Sequence, residues 1–429
     1  MSQYEVNMKY NIPRGTFDIL PQTSYKWQFV MDSFRKIAAS FGYKEITTPI
    51  FESADLFERS SGESSDVVQK EMYRFTDRKG REFALRPEGT APVVRSYVEN
   101  HLDVLSSRTK LFYIGPMFRY DRPQAGRFRQ FYQYGIEAIG SNNPYYDAEV
   151  IALEMLWLNS LGLQNIRLEL NSVGCPTCSA AYDEALRDFY RPQLPQLCPD
   201  CQKRFEQKPR RLLDCKVASC KALRQGAPSQ LDYLDQPCAE HFAQVQAHLQ
   251  AMNIPFTLNP GIVRGLDYYS HTAFEFIYEG LGAQNSLAGG GRYNGLIEQI
   301  GGKSIPAIGF AGGFERLLLA LENEHIDFAT CPKPQVYLIC LGETARTAIL
   351  PYLNSLRLWG IAIDFDPDKS SLKAQFKTAD TVGARYALIV GDSEIEAKQL
   401  NLKDLQSGMQ ITLPLDNGQA LQQFIAQNK

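Results

Sequence analysis

Apolar residues recur at three-and-four spacing near the start of the chain, where Trp27, Val30, Met31, Phe34, Ile37, Ala38 and Phe41 fall on one stripe. That period predicts an amphipathic helix over residues 23–41, stopped by Gly42. Residues 45–51 then read as a strand closed by Pro49, a residue tolerated at sheet edges and breaks. Two longer extended runs, 111–120 and 129–140, flank a loop containing Pro123 and Gly126, which predicts an antiparallel hairpin. A helix is expected over 147–161 and another over 314–321, with strands at 166–170 and 268–278. Strands separated by such long and irregular intervals predict an α+β domain on a mainly antiparallel sheet, not a regular βαβ series.

The rhythm changes after Cys331-Pro332-Lys333-Pro334. Strand patterns at 336–341, 361–365 and 386–390 alternate with helical patterns at 344–358 and 372–382, predicting a separate α/β domain with a largely parallel sheet. Residues 175–255 differ in composition from both neighbours and read as a helical insertion. The expected organisation is 1–174 and 256–325 as two parts of one core, 175–255 inserted, 326–333 a linker and 334–429 the last domain.

A chain of 429 residues has ample length for a large core. No apolar run approaches the roughly 18 residues of a membrane helix, and residues 1–11 lack the plan of a signal peptide. The expected compartment is the cytosol, with no membrane partner. Net charge is −3, so whole-chain charge does not advertise nucleic acid. Locally the balance differs, because residues 202–224 hold eight Lys or Arg against Glu206 and Asp214. Such a run is a solvated face or a surface for phosphates. It borders a cysteine cluster: seven of nine cysteines lie between Cys175 and Cys238. In a cytosolic chain that crowding argues for metal or redox use before disulfides. Cys175-x2-Cys178 and Cys198-x2-Cys201, nineteen residues apart, fit the two-knuckle spacing of a structural Zn2+ site, with Cys215, Cys220 and Cys238 as substitutes or free thiols.

Four other stretches carry chemistry that packing does not require. Arg264-Gly265-Leu266-Asp267-Tyr268-Tyr269 combines a fixed cation, a carboxylate and two phenols, suited to an anion and a planar polar ligand together. On the hairpin, a period of two puts Arg129, Phe131, Gln133, Gly135 and Glu137 on one face, and Gly115, Met117 and Arg119 on one face of the other strand. If these faces coincide, they form a floor for a zwitterion with an anionic extension. Arg119, Arg122, Arg127 and Arg129 crowd that hairpin, and like charges repel unless they share an anion. Glu88, between Pro87 and Gly89, could hold an ammonium group, while Thr90 reads as a helix cap. Residues 309–317 run from a strand end rich in small residues into a helix whose first turn bears Arg316, a cation that the helix dipole disfavours and that therefore needs a partner. The run Gly289-Gly290-Gly291-Arg292-Tyr293-Asn294-Gly295 lacks the ending of a P-loop.

Taken together these segments resemble a known family. Phe118-Arg119 with its arginine-rich loop, residues 309–317, and the helix and strand ending at Pro49 look like the three signatures of class II aminoacyl-tRNA synthetases. The segments from Arg264 and from Ala288 to Leu296 are similar to two peculiar to histidyl-tRNA synthetase, and the resemblance spans nearly the whole chain. It implies activation of L-histidine by ATP with Mg2+, transfer to tRNA-His, a homodimer, and a C-terminal domain that reads the anticodon. On that resemblance Glu88, Thr90 and Gln133 would hold the α-ammonium, with Gly89 among the histidine-binding residues, and Glu137, Tyr268 and Tyr269 would line an imidazole pocket. Arg119 and Arg264 would clamp phosphate and carboxylate, with Asp121, Arg127 and Arg316 on ATP. Asp121 stands where the family commonly has glutamate, and Asn294 where aspartate is frequent. The rival reading is a regulatory paralogue that assists ATP phosphoribosyltransferase. Such paralogues generally lose the Arg264 segment and the C-terminal domain, both kept here. A proline or threonine synthetase and a generic nucleic-acid-binding module fit the residues less well.

Overall fold

The computed structural model describes residues 10–428 apart from 63, 64, 66, 125, 214, 216, 263–267 and 417. The chain forms two compact units, Met1–Ala329 and Thr330–Lys429.

In the first unit α1 (Pro21–Ser40) buries Trp27, Val30, Phe34 and Ala38, the stripe predicted from spacing, and Gly42 ends it with a φ of 81°. The strand expected over 45–51 is instead divided. Lys44–Glu45 (β1) joins the main sheet, whereas Phe51–Ser53 joins a small three-stranded sheet with Arg74–Thr76 and Glu82–Leu85. The physical reason lies between them: Pro49 has no N–H, and the Arg86 guanidinium takes the carbonyls of Thr48 and Pro49 at 2.8 and 3.3 Å. Helix α2 (Thr90–Glu99) precedes the hairpin of β2 (Thr109–Phe118) and β3 (Gln130–Ile139). Then come α3 (Tyr145–Ser160), β4 (Ile166–Ser172), and the helices α4 (Pro176–Tyr190), α5 (Pro199–Gln207) and α6 (Gln236–Ala251). The chain returns through β5 (Thr257–Leu258), β6 (Ser270–Tyr278), β7 (Ser286–Arg292), β8 (Ala307–Gly313) and α7 (Phe314–Asn323).

The main sheet has the order β1-β2-β3-β8-β7-β6-β4-β5. Its six inner strands are antiparallel, and a short parallel strand closes each edge. One face is covered by helices, and its core is aromatic. Phe34 from α1, Tyr134 from β3, Trp157 from α3 and Phe314 from α7 pack tilted or edge-on, with centroids 4.8–4.9 Å apart in four of their pairs. Trp157 also donates its indole N–H to Ser33 at 3.0 Å, so truncating it to alanine should cost about 3–5 kcal/mol. The other face is left open by small residues.

The second unit holds β9 (Val336–Leu341), α8 (Leu350–Leu358), β10 (Ile363–Asp364), α9 (Leu372–Val382), β11 (Tyr386–Gly391), β12 (Gln399–Asp404), β13 (Gln410–Pro414) and α10 (Gln419–Gln427). Strands β10, β9 and β11 are parallel as predicted, and β12 and β13 add antiparallel. The helix expected over 344–358 is two, Glu343–Ala348 and α8, with Pro351 in the first turn of the second.

Candidate active site

The open face of the sheet is built by register. Gly115 lies opposite Gln133 and Met117 opposite Phe131, so the two predicted hairpin faces coincide. Across the next ladder Glu137 faces Gly309, Gly135 faces Ala311 and Gln133 faces Gly313. Gly291 and Gly289 continue those rows. The result is a trough floored by glycine and alanine, walled by longer side chains. A Cβ at Gly309 would fall on the Glu137 carboxylate, and one at Gly135 on the Tyr113 hydroxyl. Only residues without a side chain leave room there for the Glu137 and Tyr113 side chains that lie across the floor.

A cavity of about 260 Å³ occupies the trough. Glu88, Thr90, Arg119, Asp121, Arg127, Gln133, Tyr268, Tyr269 and Arg316, all singled out from sequence, line it. Arg264 lies outside the described residues. Arg129, expected on the floor, is not in the lining. Strand β3 begins at Gln130, and the Arg129 guanidinium stacks on Tyr120 at 4.0 Å.

At one end sits a carboxylate pair. Glu88 accepts the backbone N–H groups of Thr90 and Ala91 at 2.6 and 2.9 Å, so its carboxylate, not the Thr90 hydroxyl, caps α2. Burial pushes the Glu88 pKa up, against those hydrogen bonds and the nearby Arg119 cation. The Gly89 N–H donates to Gln133 Oε1 at 3.0 Å, and the Tyr113 hydroxyl donates to the same oxygen at 3.3 Å. Glu137 is fully buried and accepts a short hydrogen bond from the Tyr293 hydroxyl on Oε2. Burial raises its pKa to about 8, with Tyr293 and the Thr90 hydroxyl acting the other way. Oε1 has no well-formed partner among the described residues. Tyr268 and Tyr269 stack 4.8 Å apart, and Tyr268 meets Tyr293 at 5.8 Å.

At the other end sit guanidiniums. Arg119 donates Nε to the Pro87 carbonyl at 2.8 Å and lies over the Phe131 ring at 5.3 Å. Arg127 is ion-paired to Asp121. Arg316 donates to the carbonyls of Gly126 and Ser286 at 3.2 and 2.9 Å. Its pKa is lowered first by burial, then by the Arg127 and Arg119 cations. Arg119 and Arg127 thus lie close enough to disfavour the charge on Arg316, and guanidiniums gathered in this way form an anion site.

Tyr113 and Tyr293 were not assigned roles from sequence. Tyr113 shares the period-two face of Gly115 and was findable on that ground; Tyr293 follows a glycine run and gives no such signal. The glycine run itself is β7, not a phosphate loop. Its Arg292 is turned to the opposite face, fully buried, and bonds Asp147 at 2.6–2.9 Å. Asn294 is likewise structural, bonded to Asn142 and the Ala307 N–H.

The cysteines correct the expected metal site. Cys175–Cys178 and Cys198–Cys201 do not meet. The first pair gathers with Asp235 and Cys238, the second with Cys215 and Cys220.

An antiparallel sheet covered by helices on one face, with guanidiniums and carboxylates over a glycine trough on the other, is the catalytic architecture of class II aminoacyl-tRNA synthetases. The family model "Histidyl-tRNA synthetase" matches residues 15–317, and "Anticodon binding domain" matches residues 335–421. The chain belongs to the histidyl-tRNA synthetase family. The histidine–tRNA ligase of Halothermothrix orenii is 49% identical over 410 residues, covering 96% of this chain and 98% of its own length. The apo histidyl-tRNA synthetase of S. aureus has a TM-score of 0.82 at 40% identity, over 97% of this chain and 99% of its own. An ATP phosphoribosyltransferase regulatory subunit/histidyl-tRNA synthetase from Bacillus halodurans has a TM-score of 0.66 at 19% identity over 90% of this chain and 99% of its own, a likeness of fold alone.

Proposed function

We propose that the trough performs the two steps of a histidine–tRNA ligase. In the first, a histidine carboxylate oxygen attacks the α-phosphorus of ATP, and the bond to pyrophosphate breaks. In the second, a hydroxyl of the terminal tRNA ribose attacks the acyl carbonyl, and AMP departs. The attacking carboxylate is already ionised, so the first step needs no general base. It needs cations, because two anions must approach. Arg119 supplies one from its fixed position over Phe131, Arg264 would supply another, and Arg127, Arg316 and Asp121 hold the nucleotide. Magnesium arrives with ATP as part of that substrate.

The observation that carries the specificity is Glu137. A buried carboxylate with one oxygen engaged by Tyr293 and the other without a well-formed partner suits an imidazole N–H. Tyr268 and Tyr269 wall the ring, while Glu88, Thr90 and Gln133 take the α-ammonium end and the Gly89 N–H holds the Gln133 oxygen in place. Gln133 Oε1 and the Glu88 carboxylate each already accept two donors, but the carboxylate spreads them over two oxygens and carries charge, which makes it the stronger acceptor for a cation.

Near-half identity to a ligase over almost the whole chain speaks against the regulatory paralogue. Residues 1–174 and 256–325 form the catalytic core, 175–255 an insertion that zinc stabilises, 326–333 a linker and 334–429 the anticodon reader. The protein works in the cytosol as a homodimer. Exposed Ile50, Phe51 and Phe75 offer apolar surface beside the Pro49 segment for that contact. No helix among the described residues is long and apolar enough to cross a membrane. Charging of total tRNA with radiolabelled histidine tests this reading. Histidine should enter an acid-stable, base-labile tRNA ester with the wild type, and not with Arg264→Ala. Wild-type-like charging by that variant refutes the role given to Arg264.

A further inference from the structure

The seven cysteines crowded between Cys175 and Cys238 are all accounted for by two separate groups. Cys198, Cys201, Cys215 and Cys220 make one; Cys175, Cys178 and Cys238 make the other with Asp235. Within each group the candidate ligand atoms lie within 4.8 Å of one another. The Cys175 and Cys178 sulfurs are 3.6 Å apart, and those of Cys198 and Cys215 are 3.9 Å apart. A tetrahedral zinc with Zn–S bonds near 2.3 Å places its sulfurs roughly 3.8 Å apart. A disulfide needs about 2.05 Å. The spacing is that of one ion per group, and too tight for thiolates spread around a polynuclear cluster.

Backbone N–H groups are aimed at sulfur in both groups. The Cys198 N–H donates to Cys220 Sγ at 3.2 Å, and the Asp235 N–H donates to Cys178 Sγ at 3.1 Å. Asp235 divides its carboxylate: Oδ1 accepts the Cys238 N–H at 2.9 Å and caps α6, while Oδ2 lies 3.2 Å from Cys175 Sγ. A carboxylate fixed by a cap and aimed at three thiols completes a four-ligand set. His271 Nδ1, 3.7 Å from Cys238 Sγ, adds an outer hydrogen-bond partner.

Each group also sits where a clamp has mechanical value. Cys175 immediately precedes α4 and Cys238 lies in the first turn of α6, so the second group ties the helix that leaves the sheet to the helix that returns to it. The first group ties the start of α5, which Cys198 immediately precedes, to the helix Ala218–Leu223 that holds Cys220. This segment has a small core of its own, and metal clips compensate for that.

We propose that residues 175–238 carry two zinc ions, one bound by Cys198, Cys201, Cys215 and Cys220 and one by Cys175, Cys178, Cys238 and Asp235. This stands apart from the ligase reading and survives its failure.

The test is metal stoichiometry on the full-length chain, expressed with zinc and purified without chelator, with cobalt(II) substitution as the spectroscopic probe. Two zinc per chain are expected, falling to one in Cys220→Ser, to one in Cys238→Ser and to none in the double variant. Cobalt-loaded wild type should show sulfur-to-cobalt charge transfer from both sites, with each single variant removing a different component. If a variant is insoluble, titration of wild-type thiolates with an organomercurial still decides, because it should release two equivalents. One zinc per chain, lost in Cys178→Ser or Cys201→Ser but kept in Cys220→Ser and Cys238→Ser, would mean a single site spanning both CxxC pairs and would overturn the proposal. So would metal-free protein whose seven cysteines alkylate as free thiols or are found in disulfides.

Discussion

Glu137 on β3 lies directly opposite Gly309 on β8, and the space that a side chain at 309 would fill is occupied by the Glu137 carboxylate. The pairing buries the acid beneath the trough, out of water and behind the residues that line the cavity, among them Gly309 and Tyr293. Burial raises its pKa to about 8, so the unliganded protein holds it protonated at neutral pH.

The affinity for histidine should therefore depend on pH with two limbs. A carboxyl–imidazole pair shares one proton. Between the free imidazole pKa of about 6.5 and the Glu137 value of about 8, that proton is already present on one partner. Below this window the incoming ring is cationic and the acid protonated, so a proton must be lost. Above it both are deprotonated, and one must be gained. Each limb should weaken binding by about tenfold per pH unit. Isothermal titration with histidine checks this, and Glu137→Gln should bind weakly and lose the alkaline limb. An unchanged limb in that variant would place the titrating group elsewhere.

Arg119 and Arg316 should separate kinetically. Arg119 is fixed by Pro87 and Phe131 at the cavity wall, where charge builds in the transition state, and Arg119→Ala should lower kcat by about 10²–10³-fold. Arg316 is anchored to the Gly126 and Ser286 carbonyls at the cavity wall assigned to ATP, so Arg316→Ala should act mainly on the KM for ATP. Pre-steady-state measurement of adenylate formation distinguishes the two, and equal effects on both constants would refute the division.

Glu154 offers a check on the core. It is buried beneath the Tyr134 hydroxyl, which donates to it at 2.7 Å, and burial raises its pKa from 4.5 to about 8. The native state thus binds the extra proton between those values, and stability contributed by this group falls as pH rises through that interval. Glu154→Gln keeps an acceptor for Tyr134 and removes the titration. Urea denaturation near pH 6 and above pH 8 should show a smaller loss on the alkaline side than in the wild type.

Much of this site was legible in the sequence because its determinants are periodic. The alternation in 129–140 places Gln133 and Glu137 on one face without reference to any partner strand. The helix stripe from Trp27 to Ala38 emerged in the same way. Register was not legible. Nothing local says that Gly309 pairs with Glu137, or that the strand expected over 45–51 breaks because a distant arginine takes the carbonyls of Thr48 and Pro49. The grouping of the cysteines was hidden for a related reason. Spacing reveals each CxxC pair, but which side chains gather beside it depends on how helices pack, and nothing in the sequence marks Asp235 as a neighbour of Cys175 and Cys178.

The central claim is that a buried carboxylate selects imidazole beside an anion site built from arginines. ATP–pyrophosphate exchange, run with each proteinogenic amino acid in turn, tests it most directly. Histidine alone should support exchange, and Glu137→Gln should lose it. Exchange driven by another amino acid, or undiminished in that variant, would contradict the account.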